Sequence, residues 1–238
     1  MELIKIFFVL LGALFIGYSI SLAERAYTAH KLKREYLRRR FTSAAAIEGR
    51  DVKIRGKVEA GARVLEAPFS GRPAVFYKSV IRKRIGVGRF RTVHRDQSSM
   101  PFVVADETGK VGVMDRGGRF IVKHDTIRGS SLTGDAVRSL EKRLSLAGLD
   151  DIESYEIFEE YLSPGESVIV MGTRAGDEPS SPVQSVKKLP LLVMVCSEEA
   201  FIVLQIRAFT RLVFTAICLF VTGAFDLFIA FTINFRAS

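Results

Sequence analysis

Two apolar stretches, residues 6–22 and 212–233, stand near opposite ends of this 238-residue chain with a charged segment between them. Each is close to the ~20 residues that an α-helix needs to cross the hydrocarbon of a bilayer. Lipid offers no partner for backbone N–H and C=O groups, so a stretch that spans must be helical and satisfy them internally. The layout predicts a membrane protein that holds one folded domain against the bilayer at two points. About 160 residues remain for that part, enough for one domain with its own core.

The first stretch reads as an uncleaved anchor. Met1-Glu2-Leu3-Ile4-Lys5 is a weakly positive start and Ser21-Leu22-Ala23 offers small residues for cleavage, but the apolar run is long for a secretory leader. Arg25, Lys31, Lys33, Arg34, Arg38, Arg39 and Arg40 then follow at once. Positive charge directly after an apolar segment retains that side in the cytoplasm. Residues 1–23 are therefore expected to form the first span and 24–44 a basic juxtamembrane helix. Residues 45–206 form the central domain, and 207–238 the second span with a short tail. Arg207 and Arg211 precede the second span, whereas only Lys5 and Arg236 lie outside the spans. The charge rule thus places the central domain in the cytoplasm and both termini on the opposite side. The basic collar is expected to hold anionic lipid headgroups, at ~1 kcal/mol per charge, or to act only as a topology signal on a solvated helix. The two readings are compatible.

Asp226 lies inside the second span, with Thr222 and Thr232 as the nearest polar side chains. An ionisable group at that depth is costly and usually faces protein or water. It is either functional, or tolerated as a protonated or helix-contacting residue. Gly12, Ala13 and Gly17 give the first span a small-residue surface for helix contact.

Several chemistries are excluded or left without candidates. The only cysteines are Cys196 and Cys218, the latter within a span, so neither a disulfide scaffold nor a zinc site built on cysteine pairs is available. His30, His94 and His124 are far apart in sequence. No metal site and no cofactor are expected. There is no Gly-x-Ser-x-Gly and no carboxylate pair set against a histidine, and no catalytic residue is singled out.

From Asp51 the pattern turns to period two: Val52, Ile54 and Val58 alternate with Lys53, Arg55 and Lys57, a strand with one buried face. Gly56 within it marks a bulge or a close approach. Further strands are expected at 73–81, 101–104, 110–113, 119–123, 153–162, 167–171 and 191–195. Asp106-Glu107-Thr108-Gly109 reads as a hairpin turn with glycine at a positive-φ position, and Ser163-Pro164-Gly165-Glu166 as a type II turn. One helix is convincing: Val137, Leu140, Leu144 and Ala147 share a face, Asp135 caps it and Gly148 ends it. Residues 174–189 read as a loop. The fold class is α+β: two transmembrane helices flanking a β-rich domain, a small partly open barrel with one helix.

Charge is distributed unevenly. Residues 41–130 carry eighteen Lys/Arg against nine Asp/Glu, and residues 131–211 eight against thirteen. The sharpest feature is residues 81–95, a hairpin with its tip at Gly86-Val87-Gly88 and Arg82, Lys83, Arg84, Arg89, Arg91 and Arg95 as a basic arm. Three readings order themselves. The first is internal pairing with Asp150, Asp151, Glu153, Glu156, Glu159 and Glu160. The second is capture of lipid headgroups. Nucleic acid comes last, because stacking aromatics are needed and Phe90 is the arm's only one.

Certain motifs resemble a known family. They are Arg55-Gly56-Lys57-Val58; residues 65–73, Leu-Glu-Ala-Pro-Phe-Ser-Gly-Arg-Pro; Val75-Phe76-Tyr77-Lys78; the 101–113 turn region; and Glu159-Glu160-Tyr161-Leu162-Ser163-Pro164-Gly165-Glu166. Together they resemble the GIDE or "beside a membrane" domain, found in a mitochondrial outer-membrane E3 ubiquitin ligase and in smaller prokaryotic relatives. The resemblance spans roughly residues 45–205 and the flanking spans. It implies the same β-rich fold beside a bilayer. In the family, ligase activity belongs to a C-terminal RING domain that binds zinc, whereas no Cys-x-x-Cys occurs in these 238 residues. In the mitochondrial ligase the domain faces the intermembrane space. The expected function is a membrane-anchored, non-catalytic scaffold or interaction module that binds an unknown partner protein or anionic lipid. A ubiquitin-transferase-like enzyme is the rival, and a tethered nucleic-acid-binding barrel the third reading.

Overall fold

The structure, a computed structural model, describes residues 2–45, 51–115, 117–128, 134–144, 152–176, 181–185, 190–195 and 197–235. The chain divides into two compact units, Met1–Arg39 with Ser197–Ser238, and Arg40–Cys196.

The first unit is a pair of long helices, α1 (Glu2–Arg38) and α3 (Glu198–Phe235). At 1.5 Å per residue each is about 55 Å long, against about 30 Å of bilayer hydrocarbon. Both are long and apolar enough to cross a membrane, and only 17% of each apolar window is buried. A core helix of a water-soluble domain buries its apolar face. Here Leu10, Leu14, Phe220, Phe225 and Phe228 all point outward.

The two helices run antiparallel, as the contacts Gly12–Gly223, Ser19–Ala216 and Tyr36–Phe201 show. Their backbones meet at the glycines: a Cβ on Gly12 would lie 2.7 Å from the Gly223 carbonyl oxygen, and one on Gly223 2.8 Å from that of Gly12. Small residues allow this approach where no hydrophobic force drives association. Ser19 Oγ donates to the Ala216 carbonyl at 3.0 Å. The Tyr36 and Phe201 rings pack with their centres 4.7 Å apart. Helix α3 begins well ahead of the apolar stretch because Ser197 caps it, its Oγ accepting the N–H of Ala200 at 3.2 Å. Helix α1 ends at Arg38, so Arg39, Arg40 and residues 41–44 lie beyond it.

The second unit is β-rich. Strand β1 (Asp51–Ala60) pairs along its first part with β11 (Ser167–Arg174) and along its last part with β6 (Phe102–Ala105). Gly56 sits at the change of partner in unbroken register. A Cβ there would lie 2.4 Å from the Ala105 carbonyl oxygen, so the glycine serves close approach and not a bulge. The sheet continues through β7 (Lys110–Val113), β12 (Val183–Gln184), β13 (Leu192–Met194) and β8 (Arg119–Ile121), in the order β1-β6-β7-β12-β11-β13-β8. β7 and β12 meet at one parallel pair, Val113 with Val183. Since β1 also pairs with β11, the pairings run β1-β6-β7-β12-β11 and back to β1, a partly open barrel whose thinnest link is that single β7–β12 pair. Val52, Ile54, Phe76, Phe102, Val104, Leu162, Val170 and Leu191 fill its interior. Truncating one of these large side chains to alanine costs about 2–5 kcal/mol.

A second sheet has the order β5-β4-β10-β9, with β4 (Phe76–Gly86), β5 (Arg89–Ser99), β9 (Lys123–Arg128) and β10 (Tyr155–Leu162). A 3-10 turn, Ile152–Ser154, leads into β10. Helix α2 (Gly134–Leu144) packs Ala136 and Leu140 against Phe69, Ile81, Tyr155 and Ile157. Asp135 lies within its first turn and pairs with Arg138, so it is not the cap, while Ala147 and Gly148 lie outside the described residues.

A short pair, β2 (Leu65–Glu66) and β3 (Pro73–Ala74), closes the loop 67–72, where Gly71 adopts φ +65°. Two turns resolve differently from each other. Gly165 has φ +86°, as a type II turn requires. Gly109 is not among the positive-φ glycines; Asp106 builds that turn instead, its Oδ1 accepting the N–H groups of Thr108 at 2.7 Å and Gly109 at 3.0 Å. Segment 174–189, expected as loop, contributes strand β12.

Candidate functional site

The most exposed charged feature of the β-rich unit is the β4–β5 hairpin. Each strand has eleven residues, and Val87 and Gly88 connect them, with Gly88 at φ +67°. Gly86 is the last residue of β4 and does not take positive φ. Register shifts occur between Ile81 and Arg82 and between Arg84 and Gly86. Strand β10 covers β4 only as far as Lys83, its partner Tyr155 being the first residue of β10. Beyond that point residues 84–90 pair only with one another among the described residues.

All six expected cations lie on this arm. Arg82 stands 4.5 Å from the Phe158 ring centre, Lys83 5.3 Å from that of Tyr155, and Arg84 5.7 Å from that of Phe90. These are cation–π distances; Arg82 and Arg84 are exposed and Lys83 is half-buried. Arg89, Arg91 and Arg95 are exposed.

None of the six forms an ion pair with a carboxylate among the described residues. The expected pairing with Glu153, Glu156, Glu159 and Glu160 does not form, and Asp150 and Asp151 lie outside the described residues. For Glu159 and Glu160 the reason is that nearer donors hold the carboxylates. Glu159 is fully buried and accepts the N–H groups of Phe69 and Ser70. Glu160 pairs with Lys78 at 2.8 Å. Asp96, the residue after the arm's last cation, takes Tyr77 and Arg143. The arm also has apolar side chains in the open: Ile85, Val87, Phe90 and Val93. Sequence reasoning noted its charge and passed over this second property, although the alternation of cation and aliphatic residue at the tip carries it.

The collar is placed on α1 and the residues after it. Arg25, Lys31, Arg34, Arg38 and Arg40 are exposed, while Lys33 and Arg39 are half-buried; Glu35 lies 3.8 Å from Arg39. Asp226 is 8% exposed on α3, and its Oδ2 has no hydrogen-bond partner among the described residues. Thr222 and Thr232 donate to carbonyls of their own helix, Cys218 and Phe228, so neither hydroxyl proton goes to Asp226.

Three titratable groups of the β-rich unit are shifted. Partial burial pushes the Asp106 carboxyl up, but hydrogen bonds from the Thr108 hydroxyl and the N–H groups of Ala44, Thr108 and Gly109 outweigh it and hold the pKa below the ordinary value. The Glu166 carboxylate, bonded to Lys123, raises that ammonium. Burial, and then the Asp125 charge, raise the Tyr161 phenol.

No group of three or more His, Cys, Asp or Glu among the described residues is placed to hold a metal ion. A family model described as "GIDE: E3 Ubiquitin ligase" matches residues 78–229, which is more than half of the chain and includes the arm. No curated protein and no solved structure matches.

Proposed function

This chain belongs to the GIDE family, and from that premise we propose that it is a membrane-anchored, non-catalytic interaction module. It displays its β-rich domain at a bilayer surface, on the cytoplasmic side, to bind a partner protein or anionic lipid. One observation carries the reading: six cations on one hairpin have no carboxylate ion-pair partner among the described residues, and the neighbouring Glu159, Glu160 and Asp96 are held by other donors. Uncompensated charge of one sign on a structured arm attracts a partner of the other sign. The exposed apolar windows of α1 and α3 are the support for the anchor.

The family description names an E3 ubiquitin ligase, which makes ubiquitin transfer the rival reading. Zinc-dependent transfer does not fit the residues at hand. Cys218 is exposed on a membrane-length helix, Cys196 lies outside the described residues, and the described residues offer no metal-binding cluster.

The test uses the full chain in membranes. Glutamine at Arg82, Lys83, Arg84, Arg89 and Arg91 is expected to abolish crosslinking to the partner protein, or co-flotation with anionic vesicles, while the chain stays membrane-integral. Normal capture by this variant would overturn the binding role. Recovery of the chain in the supernatant without detergent would overturn the anchor. Ubiquitin transfer by the purified chain would establish the rival.

A further inference from the structure

We propose that the β4–β5 tip is a membrane wedge: Ile85, Val87 and Phe90 enter the interfacial layer of an anionic bilayer while Arg84, Arg89 and Arg91 hold its headgroup phosphates. The inference rests on the interaction-module reading and adds to it a class of ligand and a depth.

The tip has the composition that this role requires. Val87 is 102% exposed and Ile85 62% exposed, so both aliphatic side chains stand in water. Aliphatic residues at the apex of a two-residue hairpin loop have no structural task there, since the turn's geometry rests on Gly88. No acidic residue occurs between Ile81 and Arg95 to repel phosphate. Phe90 lies beneath Arg84, directly across the hairpin in register, so the ring and a cation occupy one face.

The dimensions agree. Three residues of β4 follow the last pair with β10, and at 3.3 Å per residue the tip projects about 10 Å. Interfacial elements bury their apolar face by about 5–10 Å, to the boundary of headgroup and acyl chain. Single-stranded nucleic acid fits less well: it needs several free aromatic faces, and the tip has one ring, already covered by Arg84. An acidic protein would answer the charges but leave the aliphatic apex in water.

The chain contains no tryptophan, so Val87→Trp places a single emitter at the apex. The full-length variant is reconstituted in nanodiscs of phosphatidylcholine alone and in discs with roughly one-third phosphatidylserine. A third arm adds phosphatidylserine-containing vesicles to the neutral discs. A blue shift, with quenching by brominated lipid, is expected with phosphatidylserine in the disc or in the added vesicles. In the vesicle arm, Arg84→Gln/Arg89→Gln/Arg91→Gln on this background should raise the half-saturating lipid about 100-fold, at about 1 kcal/mol per charge. Emission of a water-exposed indole in every arm overturns the wedge. An equal shift in pure phosphatidylcholine overturns the anionic class. A shift produced by single-stranded RNA in neutral discs, with none from lipid, assigns the tip to nucleic acid instead. Should the wedge fail while the five-residue variant still loses its partner protein, the interaction-module reading stands.

Discussion

Glu159 on β10 and Phe69 in the loop between β2 and β3 are joined across 90 residues of sequence: the Glu159 Oε1 accepts the Phe69 N–H at 3.0 Å, and its Oε2 accepts the neighbouring Ser70 N–H at 2.9 Å. A carboxylate with no solvent exposure is tolerated because both oxygens have donors. Glu159→Ala leaves two N–H groups without partners and is expected to cost about 2–4 kcal/mol. For a domain of this size that lowers Tm by about 5–15 °C. Glu159→Gln, which keeps one acceptor, should fall between. Thermal unfolding of the detergent-solubilised chain checks both, and an unchanged midpoint for the alanine variant would remove the clamp from the account.

The glycine contact between α1 and α3 admits no added carbon, because the obstacle on each side is a backbone carbonyl. Gly12→Leu is expected to force the helices apart. A cysteine pair at Ser19 and Ala216, in a background without the native cysteines, should oxidise readily when Gly12 is intact and fail to crosslink when Gly12→Leu is added. Equal crosslinking in the two backgrounds would show that the helices meet elsewhere.

The Asp106 turn gives a pH signature. Its pKa is lowered in the folded chain, so the charged form stabilises the turn fully above the unfolded value of about 3.9. The contribution shrinks below that value and is lost as pH falls through the folded one. The difference in unfolding midpoint between parent and Asp106→Asn should therefore be constant at pH values well above the ordinary carboxylate range and close progressively as pH falls below it. A difference that grows on acidification would contradict the assigned direction.

Cations along the arm differ in what they do for stability. Arg82 and Lys83 lie over rings of β10, so alanine at either should cost about 0.5–1 kcal/mol. Arg89 and Arg91 touch no ring of β10, and glutamine there should stay within about 0.5 kcal/mol of the parent. Chemical denaturation distinguishes the two pairs. Equal losses would mean that the tip is packed and not free.

Much of this was legible in the sequence. Length and apolar content alone identify the two membrane-length helices, and period two identifies β1. The glycine spacing places the hairpin within a residue of its tip. What escaped depends on side chains that replace backbone signals. Ser197 starts α3 ahead of the apolar stretch, and Asp106 does the work expected of a positive-φ Gly109. Strand β12 is two residues, held by two antiparallel pairs to β11 and one parallel pair to β7, too short for any periodicity. Glu159 could have been found: Tyr155, Ile157, Glu159 and Tyr161 are in phase on the inward face of β10, which marks the acid as buried and so unable to reach the arm. The apolar apex escaped because single aliphatic residues set among cations form no periodic pattern of their own.

Among the described residues strand β5, eleven residues long, lies at the end of its sheet and is paired on one side only. An open rim of that length is a template on which a second copy of the chain can zip. Arg89, Arg91 and Arg95 stand exposed along it, and like charges brought face to face in such a pairing would repel. Cations that bind an anion would thus also resist clumping, and chains stripped of them should self-associate even in the absence of any ligand.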